Sequence, residues 1–145
     1  MKNPEAVAWA IATEGSISLV SYSTPSRNSG NPTIRPYINL GNTNLELVER
    51  FRDMVGYGHV YKRTVAKNGH KPTHYWAAVS LQDCLSFLTE IVDYLPIKSE
   101  QAEIVIDFCS RRLKRPLGSR HPYVEKDWRQ VAVMHELNRV GAFVE

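Results

Sequence analysis

The stretch AVAWAIATEGSISL, Ala6 to Leu19, decides how the rest of the chain is read. It begins as a run of alanines and large apolar residues and ends that run on an acid and a glycine, Glu14 and Gly15. Beyond Gly15, Ile17 and Leu19 alternate with Ser16 and Ser18, the pattern of a strand with one face on a core. Upstream, Asn3 can cap a helix that has Pro4 at its first position and Glu5 in its first turn, so a helix over about 4–14 is predicted. The question is why a helix suited to burial should end on a carboxylate.

Outward from this stretch, "STPSRNSGNP" at 23–32 reads as a loop. A second strand is predicted over 33–40, with Ile34, Ile38 and Leu40 on one face and Arg35, Tyr37 and Asn39 on the other, although Pro36 removes a ladder donor. "TNLE", Thr43 to Glu46, is a capping box opening a helix whose buried stripe is Leu47, Val48, Phe51 and Val55 and whose stop is Gly56. "HVYKRT" at 59–64 and "HYWAAVSL" at 74–81 read as a hairpin across "AKNGHKP". Ser80 and Ser99 can cap two further helices, and a last helix is expected around 123–139. The resulting order is helix, strand, strand, helix, strand, strand, then three helices, an α+β domain with helices on one face of a curved antiparallel sheet.

At 145 residues and 43% hydrophobic, the chain suffices for one domain with a sizeable core. The formal charge of +3 matters only if the positive side chains gather on one face or the protein dimerises. Cys84 and Cys109 have no metal-site spacing and read as buried free thiols. No apolar run is long enough to span a bilayer and the N-terminus lacks a signal-peptide core, so a soluble intracellular protein is expected, in cytoplasm or an organelle matrix, with no membrane partner.

The nine residues VAWAIATEG, Val7 to Gly15, resemble the motif of the LAGLIDADG homing endonucleases. Glu14 and Gly15 stand at the motif's eighth and ninth positions and Ala8 at its second, while Trp9 replaces a usual small residue and Ala12 a frequent aspartate. "INLGNTNLELVERF" resembles the family's passage from second strand to second helix, and "YLPIKSEQAEIV" its lysine-bearing turn. The resemblance implies the αββαββα fold with a four-stranded sheet over about 4–112, a C-terminal helical extension over about 113–145, and a single domain over 1–145. It also implies a homodimer in which the motif helix packs on its twin across a two-fold axis. Ala8 and Ala12 are then expected in the dimer interface, where small residues allow close helix approach.

Two acids at such an axis repel unless a cation shares the site. The resemblance makes Glu14 the catalytic metal ligand with Gly15 beside it, Mg²⁺ the cofactor, Mn²⁺ a possible substitute and Ca²⁺ a non-catalytic one. Asn42 matches a polar position that orders water or phosphate, though turn chemistry explains it equally. Lys98 falls in the lysine turn, where an ammonium can stabilise phosphate charge; an exposed surface lysine is the other reading.

Double-stranded DNA is the implied partner, held by the sheet face opposite the helices: Ser18, Val20, Tyr22, Arg35, Tyr37, Asn39, His59, Tyr61, Arg63, His74 and Trp76. Arg27, Lys62 and Lys71 are placed for phosphate contact. The run Arg111, Arg112, Lys114, Arg115, Arg120 either meets backbone or is a solvated face. The implied activity is site-specific double-strand cleavage of a long pseudo-palindromic target. A DNA-binding regulator or RNA-splicing maturase on the same fold is the alternative, and an unrelated α+β interaction domain is the third.

Overall fold

A computed structural model describes residues 1–22, 32–63, 71–115 and 122–143, with side chains through Arg139. Arg27 and Arg120 lie outside the described residues. The element order is α1 (Pro4–Glu14), β1 (Gly15–Tyr22), β2 (Thr33–Asn42), α2 (Leu45–Val55), β3 (His59–Arg63), β4 (Thr73–Ala78), α3 (Leu81–Ile91), α4 (Ser99–Leu113) and α5 (Glu125–Phe143), with a 3-10 turn at Val92–Tyr94. The four strands form one antiparallel sheet in the order β1-β2-β4-β3.

Local chemistry sets the helix ends. Asn3 Oδ1 accepts from Ala6 N and Ser80 Oγ from Asp83 N, as side-chain caps should. Two expected caps move by one residue. Asn44, not Thr43, caps α2 by accepting from Leu47 N. Lys98, not Ser99, precedes α4, in the left-handed region with φ 70 and no side-chain cap bond. Pro36 is tolerated within β2 because β4 pairs with β2 only from Ile38 onward, leaving one side of the strand without a ladder there.

The core lies between the sheet and the helices, built from Val7, Ala8 and Ile11 of α1, Ile17 and Leu19 of β1, Ile38 and Leu40 of β2 and the buried faces of α2, α3 and α4. Trp76 belongs to this core. It is 0% exposed, packs edge-on against Phe51 and tilted against Phe87, and its indole N–H donates to Tyr57 O at 2.8 Å. Its partner in this packing is Gly58 (φ 101): a Cβ there would stand 2.2 Å from Trp76 Nε1. The expected outward placement of Trp76, and of His74 on the same parity, is therefore wrong by one residue. Thr73 and Tyr75 occupy the outward positions of β4, since Tyr75 is the register partner of Tyr61. Leu47 is a second departure, 43% exposed instead of within the α2 stripe.

Helix α5 closes the edge strand. Asn138 Nδ2 donates to Ile17 O on β1, and Tyr123 OH donates to Ile34 O. A polar clamp ties α5 to α4: Arg111 donates to Asp107 at 2.9 Å and to Asp127 at 2.7 Å, while Gln130 Nε2 donates to Asp107 at 2.7 Å. Asp127 is fully buried and also accepts from Val124 N, capping α5. Arg112 lies 4.4 Å from the centroid of Tyr123 and Arg115 donates to Pro122 O. Much of the basic run thus holds the chain together.

Asp127→Ala removes the buried partner of Arg111, which keeps Asp107, and the cap on Val124 N, and is expected to lower stability by about 2 kcal/mol, read from denaturant unfolding. For Asp107, burial works to raise the carboxyl, but the bonds from Arg111 and Gln130 outweigh it and hold it below its ordinary 3.8. A depressed folded value means that this contribution is complete above the ordinary value and is lost as pH falls through the lower one. A progressive weakening of the α4–α5 clamp as pH falls below the ordinary 3.8, read from unfolding at a series of pH values, is the expected sign.

Candidate active site and nucleic-acid interface

The geometry at the end of α1 explains the glycine of the opening motif. Gly15 leaves the helix directly into β1, and a Cβ on it would lie 2.7 Å from Asn39 O and 2.9 Å from the Ile11 side chain. Only a glycine lets β1 come this close to β2. Glu14, the last helical residue, is exposed, and among the described residues it has no ion-pair partner. A carboxylate at the negative end of a helix is disfavoured by the helix dipole.

Lys98 offsets that negative end. Its ammonium donates to Gly15 O at 2.7 Å and Ile11 O at 3.3 Å, and burial pulls its pKa below the ordinary lysine value. The left-handed backbone at Lys98, which costs a non-glycine residue about 1 kcal/mol or more, aims the side chain at these carbonyls. Asn42 lies two residues beyond Leu40, the register partner of Gly15, with its Oδ1 accepting from Asn44 N at 2.8 Å. Its carboxamide oxygen serves the turn before α2, and its N–H donors have no partner among the described residues. Glu14, Gly15, Asn42 and Lys98 thus gather at one end of the molecule.

The donor set suits a hard cation in kind but falls short in number. Glu14 and the Gly15 carbonyl are oxygen ligands of the sort Mg²⁺ takes. Among the described residues, no group of three or more His, Cys, Asp or Glu side chains could hold a metal. Glu14 belongs to no such group, so a full set needs oxygens from a second copy, phosphate or water.

The sheet's outer face begins at this same end. Ser16, Ser18, Val20 and Tyr22 of β1, Arg35, Tyr37, Asn39 and Gly41 of β2, His59, Tyr61 and Arg63 of β3, and Thr73, Tyr75 and Ala77 of β4 share it by register. Ser16 Oγ donates to Asn39 Oδ1, and the Tyr37 and Tyr61 hydroxyls bond one another. Burial and that bond push Tyr61 up to about 12. Ser16 shares the outward parity expected of Ser18, and Tyr75 takes the place expected of Trp76, because the alternation in HYWAAV fits either parity. Lys62 and His74 are register partners on the other parity, beside Asn42, while Lys71 is exposed just ahead of β4.

Ala8 and Ala12 do not face outward. Both are buried within the chain's own core, and the exposed side of α1 carries Glu5, Trp9 and Thr13, with Ala6 and Ala10 partly covered. Beside it runs a groove of about 520 Å³ between α1 and α2, lined by Ala6, Ala10, Leu47, Phe51 and Met54 among others.

No family model and no characterised protein matches the chain by sequence. The fold, however, is that of the LAGLIDADG homing endonucleases. The chain superposes on the homing endonuclease I-CvuI, bound to the I-CreI target in 2 mM Mg with the DNA not cleaved, with a TM-score of 0.66 at 14% identity, over 91% of this chain and 94% of that one. The archaeal intron-encoded homing endonuclease I-Vdi141I, complexed with DNA, gives 0.59 at 14% identity over 94% and 96%. The LAGLIDADG homing endonuclease I-LtrWI bound to target DNA gives 0.64 at 14% identity over 91% of this chain but 42% of that chain. No helix among the described residues is long and apolar enough to cross a membrane.

Proposed function

We propose that the protein is a metal-dependent, site-specific endonuclease that cuts both strands of a long pseudo-palindromic DNA target as a homodimer. The observation that carries this reading is Glu14: an exposed acid at the wrong end of a helix for its charge, next to a lysine-capped carbonyl and at the head of an uncovered polar and aromatic sheet face. Two of the solved structures that share the fold are the homing endonuclease I-CvuI in complex with DNA targets, one in 2 mM Mg and one in 2 mM Ca, which supports DNA and a divalent ion as partners.

In this reading the sheet lies in the major groove, where Arg35, Asn39 and Arg63 reach base edges and Lys62 and Lys71 reach phosphates. Glu14 and the second lone pair of the Gly15 carbonyl, whose first accepts from Lys98, would hold Mg²⁺, which would polarise the phosphodiester and favour ionised water. Lys98 places positive charge beside the phosphate, and Asn42 Nδ2 donates to a water or phosphate oxygen. A tryptophan left 52% exposed on α1, beside an apolar groove, calls for a partner. A second copy of α1 meets that need through Trp9 and the groove beside it, and brings the second Glu14.

The test is selection of bound duplexes from a randomised DNA library in Ca²⁺. The expected result is one long, near-palindromic site whose affinity falls steeply with salt as counterions are released. Absence of any sequence preference, or binding insensitive to salt, would overturn the reading.

A further inference from the structure

On the outer face of the sheet, two arginines each lie over a tyrosine of a neighbouring strand. Arg35 on β2 stands 4.9 Å from the Tyr22 centroid on β1, and Arg63 on β3 stands 5.7 Å from the Tyr75 centroid on β4. The second pair is the more constrained. The Tyr75 ring stacks on Tyr61 with centroids 5.3 Å apart and planes at 18°, and Tyr61 is tied in turn to the Tyr37 hydroxyl. Its strand partner on the other side is Gly41, where a Cβ would come within 2.5 Å of the ring. The ring therefore occupies the space that a side chain at 41 would take, wedged between β2 and Tyr61.

An arginine on an edge strand has many rotamers, and a guanidinium reads a guanine well only when its fork is presented in one plane. A fixed aromatic face restricts that choice by attracting the cation over the ring. We infer that Tyr75 is a specificity-positioning residue: it holds the Arg63 guanidinium for base reading at the part of the DNA target nearest the cut. The inference rests on the endonuclease reading and adds the place of the contact.

That place follows from the register. Tyr75 is opposite Gly41, one residue from Leu40, which pairs with Gly15 beside Glu14. Arg35 lies six residues back along β2 from Gly41, about 20 Å away at strand rise. Arg63 then serves inner positions of each half-site and Arg35 outer ones.

The experiment measures binding in Ca²⁺ to duplexes carrying each base at each position of the selected target. Wild type is compared with Arg63→Ala, Tyr75→Phe, Tyr75→Leu, the Arg63→Ala/Tyr75→Leu double variant and Gly41→Ala. Arg63→Ala and Tyr75→Leu are expected to lose about tenfold discrimination at the same inner position, with the double variant no worse. Tyr75→Phe, which keeps the ring, retains the preference. Gly41→Ala, which leaves Tyr75 in the chain but displaces its ring, relaxes the same position. Wild-type preference in Tyr75→Leu, or a uniform loss on every sequence, overturns the positioning role while the endonuclease reading stands. A wild type without base preference removes that reading and this inference with it.

Discussion

Glu14→Gln is expected to cut DNA about a thousandfold more slowly or worse while folding normally and binding its target at least as well as the wild type. The magnitude follows from losing the several kcal/mol that a bound divalent ion supplies at a phosphodiester, at about 1.4 kcal/mol per tenfold in rate. Folding is spared because Glu14 is exposed and has no ion-pair partner among the described residues, and Gln preserves its size. Binding is kept or strengthened because a negative charge beside phosphate disappears. Gel assays of cleavage in Mg²⁺ and binding in Ca²⁺, on one selected target, separate the two effects. Undiminished cleavage by the variant would remove Glu14 from the chemistry.

Trp9→Glu is expected to break the proposed dimer. Trp9 is 52% exposed on the outer crest of α1, so its replacement costs the isolated chain little. In a two-fold assembly each substitution is felt twice, and an interfacial Trp is worth about 2 kcal/mol or more, so dissociation should rise by roughly a thousandfold. Sedimentation should show a monomer where the wild type is a dimer, with double-strand cutting lost. Ala8→Arg makes the contrast: Ala8 is 0% exposed inside the monomer, so a charged side chain there unfolds the chain. A Trp9→Glu protein that stays dimeric would move the interface elsewhere.

The order of elements was legible because most boundaries carry a local signal: Asn3 and Ser80 cap, Gly56 stops α2 in the left-handed region, and β1 and β2 alternate cleanly. Facing was harder. Ala8 and Ala12 read as interface residues because small side chains suit helix contact, but the same smallness lets α1 press into its own core. Trp76 and Tyr75 are neighbours on opposite sides of one strand, and the choice between them depends on Gly58 and Tyr57 supplying a slot and an acceptor, contacts remote in sequence. The role of Lys98 is likewise tertiary: its two acceptors lie more than eighty residues away. For the same reason Arg111 looked like part of a solvated charge run, while its partner Asp127 is buried on another helix.

In the proposed function Glu14, contributed once by each of two copies, turns a DNA-binding sheet into a double-strand nuclease. The most direct measurement is incubation of the best-bound selected duplex with the wild-type protein in Mg²⁺, followed by sequencing of the ends. Breaks in both strands at fixed positions about the centre of the site, absent in Ca²⁺, are the expected result. Tight, specific binding in Mg²⁺ with both strands intact would contradict it and leave a protein that binds DNA without cutting.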